Sequence, residues 1–259
     1  GVASKVFPTA LGSQTAGSVI RPASFNGIIG FKPSFGLISR FGVLPVSSSL
    51  DTVGYFTRCV EDIGLVLEAL AGHDNRDSFS GKVPKKDYIT QLKPTNLPPK
   101  IGLVKWFFLE NCDSQAKDAT LKTTAILEAQ GAQVEEIQID FDSQSLLAAH
   151  QTIMSVEAAV VHKQDFKQHA NLYSPFIKDV IERGLLTPSI AYIQAQRIRR
   201  IFRKKLAHAI TEFAILLTTA TDSGAPKNLG TTGNPSFQVP WTMAGLPVIS
   251  LPSGLDQNG

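Results

Sequence analysis

Near its start the chain reads Gly12-Ser13-Gln14-Thr15-Ala16-Gly17-Ser18-Val19-Ile20-Arg21-Pro22-Ala23-Ser24-Phe25. Six of the first seven residues are Gly, Ala, Ser or Thr, so other groups can approach this backbone closely. An acyl-transfer site needs a serine oxygen that attacks a carbonyl carbon. It also needs backbone N–H groups that stabilise the developing oxyanion, by about 3–4 kcal/mol per donor. Ser18 is our candidate nucleophile.

Composition alone leaves other interpretations of this loop open. Loops rich in Gly, Ser and Thr also form structural turns, and some bind phosphate at helix N-termini. A phosphate loop of the common kind ends in Gly-Lys-Ser/Thr, whereas this one continues Gly17-Ser18-Val19-Ile20-Arg21. Nucleotide hydrolysis is therefore disfavoured, and a structural turn and a hydrolase nucleophile remain.

The bulk composition indicates a soluble globular protein. The 259 residues are 43% hydrophobic and 18% charged, with a formal net charge of +3. Only Cys59 and Cys112 are present, without a CxxC pattern, so we expect a reduced, cytoplasmic setting, no metal and no cofactor. No apolar run is long enough to span a membrane, and we expect no membrane partner. Because residue 1 is Gly and the first Met is Met154, we also expect an internal piece of a longer chain.

Basic residues are dispersed except for one cluster in a predicted helix. A solvated helix face explains such a cluster, and an RNA or phosphate patch is the alternative. Its members are Arg197, Arg199, Arg200, Arg203, Lys204 and Lys205. We do not infer nucleic-acid binding from it.

Helical spacing and turn residues predict an α/β chain. The unit strand 101–104, helix 113–129, strand 134–139 favours a parallel sheet with covering helices. The sequence also predicts a helix at 58–71 capped by Thr57 and a surface connection at 73–99. A mainly helical region follows at about 144–213, interrupted at Pro175 and Pro188. Further strands are predicted at 213–217 and 247–252.

The run from Leu11 to Pro33, followed by Ser49-Leu50-Asp51-Thr52-Val53-Gly54, resembles the amidase signature family. That family has Gly-Ser/Thr-x-Thr-Gly-Gly-Ser, an Arg soon after it, Pro-Ala, Gly-x-x-Gly-x-Lys-Pro-Thr/Ser, and then Ser-x-Asp-x-x-Gly. The second block reads Gly27-Ile28-Ile29-Gly30-Phe31-Lys32-Pro33-Ser34 here. Further matches are Thr232-Gly233-Asn234, Gly245-Leu246-Pro247 and Leu251-Pro252-Ser253-Gly254.

The resemblance implies an amide hydrolase with a Ser-cis-Ser-Lys triad. Ser18 would form the acyl-enzyme, and the backbone N–H groups of Thr15, Ala16, Gly17 and Ser18 would form the oxyanion hole. A bridging serine would pass the Ser18 proton to a buried lysine, and burial lowers a lysine pKa in the sense that a base requires. The implied fold is a mixed, mostly parallel sheet between helical layers, with residues 1–259 forming part of one such domain.

The chain departs from the family pattern in three ways. The bridging serine and the lysine would both precede Gly1, so this piece should not catalyse the reaction alone. Ala16 replaces the first Gly of the usual pair, which requires backbone dihedrals that suit a residue with a Cβ. Arg21 follows the serine by three residues where many members have it two residues after.

Other residues have alternative interpretations. Lys32 matches the family's Lys-Pro turn, so we interpret it as structural and not as a substitute base. Arg21 and Asp51 support the site either as a buried charge pair or as groups that face substrate. The five histidines have no partner in sequence that would indicate a Ser-His-Asp triad. They are His73, His150, His162, His169 and His208.

Three functions follow as hypotheses. The first is a stand-alone amidase that acts on a small-molecule amide, with no nucleic-acid partner and with a homodimer as one option. The second is the A subunit of a glutamyl-tRNA amidotransferase, which frees ammonia from glutamine for a second subunit. The third is a non-catalytic relative.

Overall fold

The computed structural model describes residues 1–84, 86–93 and 98–255. Its elements alternate between strands and helices, as expected of an α/β chain. In order they are β1 (Ala10–Gln14), α1 (Ile20–Phe25), β2 (Ile29–Lys32), β3 (Thr52–Thr57), α2 (Val60–Leu70), β4 (Lys100–Val104), α3 (Trp106–Asn111), α4 (Ser114–Ala129), β5 (Gln133–Ile137), α5 (Ser143–His169), α6 (Pro175–Leu186), α7 (Ser189–Ala209), β6 (Ile215–Leu217), α8 (Val239–Ala244) and β7 (Val248–Ser250). Short 3-10 helices occur at Ala170–Leu172 and Ser236–Gln238.

The described strands form two sheets. A four-stranded sheet has the order β1-β3-β2-β7 with antiparallel neighbours, and a three-stranded parallel sheet has the order β5-β4-β6. The strand–helix–strand prediction is confirmed, because α4 connects the parallel strands β4 and β5. The expected mostly parallel arrangement is not what these residues form, since three of the five described strand pairs are antiparallel.

Glycines in the first sheet allow close packing inside strands. A Cβ on Gly54 would lie 2.4 Å from the Phe31 carbonyl oxygen, and a Cβ on Gly30 would lie 2.5 Å from the Ala23 Cβ. The second contact packs α1 directly onto β2, so the glycines bring the candidate loop against the sheet.

Among the described residues, two hydrophobic clusters support the fold. The smaller one joins β2, β3 and α2 through residues such as Ile29, Tyr55 and Ile63. The larger one joins β4, α3, α5, α7 and α8, and within it the rings of Phe108 and Trp241 stack with centroids 5.4 Å apart. Both α5 and α8 belong to this larger cluster, and each also reaches the candidate loop, as shown below.

Most predicted helices are confirmed, with small corrections. The helix expected at 58–71 is α2, but Thr57 does not cap it, because its hydroxyl donates to the Cys59 carbonyl and Cys59 is the N-cap. The 144–213 region consists of α5, α6 and α7, and it is interrupted where Pro175 begins α6 and Pro188 precedes α7. The described part of the 73–99 connection carries no helix or strand, and residues 85 and 94–97 lie outside the description.

The sequence interpretation missed the short buried helix α3, because its apolar residues Trp106, Phe107, Phe108 and Leu109 are contiguous rather than periodic. Within the described residues, no helix combines the length and apolar character that crossing a membrane would require.

Candidate active site

Ser18 lies in the loop between β1 and α1, and its side chain is exposed to solvent. The backbone turns into α1 directly after it, where the Arg21 N–H donates to the Gly17 carbonyl at 3.0 Å. Among residues 1–84, 86–93 and 98–255, none forms a hydrogen bond with the Ser18 Oγ. The hydroxyl is therefore accessible to an external carbonyl carbon.

The backbone donors beside Ser18 are also free. No acceptor within the described ranges bonds the N–H groups of Thr15, Ala16, Gly17 or Ser18. Such unpaired N–H groups on one short loop can stabilise an anionic oxygen.

The two small residues of this loop are there for different reasons. Lys5 is the only non-glycine residue with positive φ in the described part of the chain, so Ala16 adopts a backbone that accepts a Cβ. Gly17 has little space: a Cβ there would lie 3.3 Å from both Cβ and Cγ of Gln238 and 3.4 Å from the Pro235 carbonyl oxygen. The glycine before Ser18 thus lets Gln238 approach the loop closely.

Gln14 holds the end of this loop. Its side chain is buried, and its Oε1 accepts from the Val19 and Ile20 N–H groups at 3.0 Å each. It thereby satisfies N–H groups that the start of α1 would otherwise leave unpaired. Sequence reasoning missed this role, because glutamine at the end of a strand has no distinctive pattern.

Asp51 contacts the loop from the start of β3. Its Oδ1 accepts from the Thr15 hydroxyl at 2.5 Å, and its Oδ2 accepts from the Val46 and Ser47 N–H groups at 2.7 and 3.0 Å. The carboxylate is buried and bonded at both oxygens. Asp51 therefore supports the loop from within the protein.

Arg21 points elsewhere. Its guanidinium donates to the Gly233 carbonyl at 2.9 Å and to the Thr232 hydroxyl at 3.1 Å. Burial lowers its pKa, and the nearby Asp222 opposes that shift. The first of the two interpretations, an Arg21–Asp51 charge pair, is therefore wrong: each group has its own partners, and Arg21 links α1 to the 232–233 segment.

Lys32 is fully buried at the end of β2. Its Nζ donates to the Pro33 carbonyl at 3.1 Å and to the Leu246 carbonyl at 2.5 Å, and burial lowers the pKa of the ammonium to about 7. These contacts tie β2 to the segment before β7. The interpretation of Lys32 as structural agrees with this environment.

Two further residues contact the loop, and sequence reasoning did not identify either. His150, on α5, places its Nε2 3.0 Å from the Thr15 carbonyl oxygen, and burial lowers its pKa to about 4. Thr242, on α8, donates its hydroxyl to the Ala16 carbonyl at 3.0 Å. These partners are 135 and 226 positions from the loop residues, so no local pattern could have found them.

The helical region also reaches the segment before β3. Glu157 accepts from the hydroxyls of Ser47 and Ser49 at 2.5 and 2.8 Å, and Arg199 donates to the Ser49 hydroxyl at 2.9 Å. Arg199 is thus a buried structural member of the basic cluster, and Lys205 pairs with Asp140 at 2.7 Å. The other four cluster members are not buried, as expected of a solvated face.

A cleft of about 210 Å³ lies on the Asp51 side of the loop. Ser13, Asp51 and Thr52 line it, together with the Arg40–Asp77 ion pair, whose charged atoms are 3.2 Å apart. In the described part of the chain, no three His, Cys, Asp or Glu side chains come together as a metal ligand set.

Comparison with known sequences gives consistent findings. A family model described as Amidase matches residues 1–259. The A subunit of glutamyl-tRNA(Gln) amidotransferase from Picosynechococcus sp. is 34% identical over an alignment 291 positions long, which covers 100% of this chain and 60% of that protein. The corresponding protein of Halothermothrix orenii is 32% identical, with 99% and 60% covered. The chain therefore spans about 60% of the length of these curated relatives.

Solved structures share the fold. A structure described as an amidase superposes with a TM-score of 0.82 at 28% identity, covering 96% of this chain and 56% of that one. The A subunit of glutamyl-tRNA(Gln) amidotransferase from Thermotoga maritima superposes with a TM-score of 0.82 at 25% identity, covering 99% and 57%. A chain from a vestigial protein complex linked to the origins of an s-triazine catabolic enzyme gives 0.87 at 29% identity, covering 96% and 56%.

Proposed function

Because this chain belongs to the amidase signature family, we propose that the protein containing it hydrolyses amide bonds through an acyl-enzyme on Ser18. The observation that carries the proposal is the pairing of two features on one loop. The Ser18 hydroxyl is exposed, and no described residue accepts from the N–H groups of Thr15, Ala16 and Gly17. A nucleophile and an oxyanion hole need this combination.

The proposed reaction has two steps. In the first, the Ser18 oxygen attacks the amide carbonyl carbon, the carbonyl oxygen becomes an oxyanion on the loop N–H groups, and the C–N bond breaks. The proton lost by Ser18 passes to the leaving nitrogen, which departs as ammonia or an amine. In the second, water attacks the ester carbonyl, releases a carboxylic acid and restores the Ser18 hydroxyl.

The base for this reaction is also part of the proposal. We propose that a lysine and a bridging serine outside this chain accept and relay the Ser18 proton, as the family resemblance implies. Lys32 is not that base, because its ammonium already donates to two carbonyl groups and lies in a buried position. Asp51 and Arg21 support the loop and do not take part in bond breaking.

The test is a substitution of Ser18 in a longer protein. That protein contains this chain and also the segments that its curated relatives have and this chain lacks. Ser18→Ala should reduce amide hydrolysis by about 10⁴-fold or more, because removal of a nucleophile eliminates the covalent route. Ser24→Ala, an exposed serine on α1, is the matched control and should retain activity. A fluorophosphonate should label Ser18 in the parent protein. Undiminished hydrolysis by Ser18→Ala would overturn the assignment.

A second candidate is the A subunit of a glutamyl-tRNA amidotransferase. It is favoured by curated relatives of that name that are 32–34% identical to this chain. Against it, Ser18-Val19-Ile20-Arg21-Pro22-Ala23 and Phe31-Lys32-Pro33-Ser34-Phe35 resemble stand-alone amidases more closely. Hydrolysis restricted to glutamine, together with copurification of a second protein, would support the amidotransferase. Turnover of simple carboxamides by the isolated protein would support the amidase.

A further inference from the structure

Two consecutive carbonyl groups of the Ser18 loop are bonded from inside the protein. The Thr15 carbonyl faces Nε2 of His150 at 3.0 Å, and the Ala16 carbonyl accepts from the Thr242 hydroxyl at 3.0 Å. Both donors are buried, and they come from helices α5 and α8 in the larger hydrophobic cluster. The loop is therefore bonded on its inner side by two helices that pack in the larger hydrophobic cluster.

Peptide geometry carries this inner bonding to the outer side. In a trans peptide the C=O of one residue and the N–H of the next point in opposite directions within one plane. When the Thr15 carbonyl is held inward, the Ala16 N–H must point outward. By the same geometry, holding the Ala16 carbonyl fixes the direction of the Gly17 N–H. These are two of the N–H groups for which the described residues provide no acceptor.

We propose that His150 and Thr242 are positioning residues that orient the Ala16 and Gly17 N–H groups as the oxyanion hole of Ser18. This inference rests on the proposed amide hydrolysis. Neither side chain touches the reacting atoms. Each acts through the carbonyl that it holds, and the hydrogen bond is formed before substrate binds, as preorganised electrostatic stabilisation requires.

The chemistry of each donor fits the role. A carbonyl oxygen only accepts, so Nε2 of His150 must carry the proton in this contact. Burial lowers the pKa of His150 to about 4, although the hydrogen bond to the Thr15 carbonyl acts in the opposite direction, and the charge of Arg199 lowers it further. The ring is therefore neutral near pH 7 with that single N–H. The Thr242 hydroxyl accepts from Gln14 Nε2 at 3.3 Å, so its own proton is directed to Ala16.

The test uses pairs of variants in the protein that also contains the proposed base. Thr242→Val removes the hydroxyl and keeps the shape, whereas Thr242→Ser keeps the hydroxyl. His150→Phe removes the ring N–H, whereas His150→Gln keeps an N–H donor. Two rates are measured per folded molecule: labelling of Ser18 by a fluorophosphonate, in which fluoride leaves as the Ser18 oxygen bonds phosphorus, and turnover of an amide that the parent hydrolyses.

We expect Thr242→Val and His150→Phe each to lower the labelling rate and kcat by about tenfold with KM changed less than about twofold, because the donors are misdirected rather than removed. Thr242→Ser and His150→Gln should recover to within about threefold of the parent. A purely structural role would lower the Tm and the folded fraction without changing kcat per folded molecule. If His150→Phe does not fold, the Thr242 pair alone decides.

Two failures can be told apart. If Ser18→Ala is inactive while Thr242→Val and His150→Phe label and turn over at the parental rate, the positioning inference is wrong and the proposed function stands. If Ser18→Ala retains hydrolysis, the proposed function is wrong, and the positioning inference falls with it.

Discussion

Ser18 and Lys32 lie on either side of α1 in the chain, and these two reactive side chains have opposite environments. The Ser18 hydroxyl is exposed and without a partner among the described residues, while the Lys32 ammonium is fully buried and donates to two carbonyl groups. In sequence both residue types match the needs of an amide hydrolase. Their hydrogen bonds distinguish the two roles. A side chain that is to react with substrate needs donor or acceptor atoms without protein partners, whereas a buried side chain that donates to protein carbonyl groups stabilises the fold.

Removal of the Lys32 side chain should have the largest effect on stability, and it tests whether Lys32 is structural while Ser18 is reactive. We expect Lys32→Ala to lower the free energy of unfolding by about 4 kcal/mol, because a cavity forms and the Pro33 and Leu246 carbonyls lose their donor. Lys32→Met keeps the volume and should cost about half as much. Urea unfolding measures both. A Lys32→Met protein that is as stable as the parent but no longer labels at Ser18 would indicate a catalytic lysine instead.

Acid pH should test the inner side of the Ser18 loop. Burial lowers the pKa of His150 from 6.5 to about 4, so between these values the unfolded state binds more protons than the folded state. Stability should therefore fall as the pH decreases through this window, by about 3 kcal/mol in total. His150→Gln should have a smaller pH dependence than the parent between pH 7 and 4, since carboxylate effects are common to both proteins. Identical profiles would show that His150 titrates normally.

The buried Lys32 should also make stability rise with pH, but at a higher pH than His150 does. Its pKa is lowered from 10.5 to about 7, so stability should rise as the pH increases above 7. The gain between pH 7 and 9 should be about 2 kcal/mol. Unfolding of the parent and of Lys32→Met at both pH values measures it. Equal gains in the two proteins would assign the effect to another group.

The smallest effect should come from the bond between Thr15 and Asp51. Thr15→Val removes the hydroxyl donor and leaves Asp51 with its two N–H partners, so we expect a loss of about 1 kcal/mol in stability. The fluorophosphonate labelling rate should fall only a few-fold, because the Thr15 and Ala16 carbonyls keep their donors. Thr15→Ser retains the hydroxyl and serves as the control. If Thr15→Val labels as slowly as Thr242→Val, the bond between Thr15 and Asp51 contributes more to orienting the loop than we expect.

The sequence by itself determined the features that depend on local patterns. Helices α2 and α4, the β4–α4–β5 unit and the proline-interrupted helices α5 to α7 follow from spacing and turn residues within a few positions. The candidate nucleophile came from one local motif, and the family came from several such motifs that occur in a fixed order along the chain. Each motif can be recognised from consecutive residues alone.

Only the tertiary structure decided how those stretches meet. Gly30 and Gly54 lie in antiparallel strands, at positions where neighbouring atoms leave no space for a Cβ. Arg21 and Asp51, which looked like partners, bond different segments. His150 and Thr242 reach the Ser18 loop from 135 and 226 positions away. Such contacts depend on the packing of whole helices against a sheet, and a local sequence pattern contains no information about that packing.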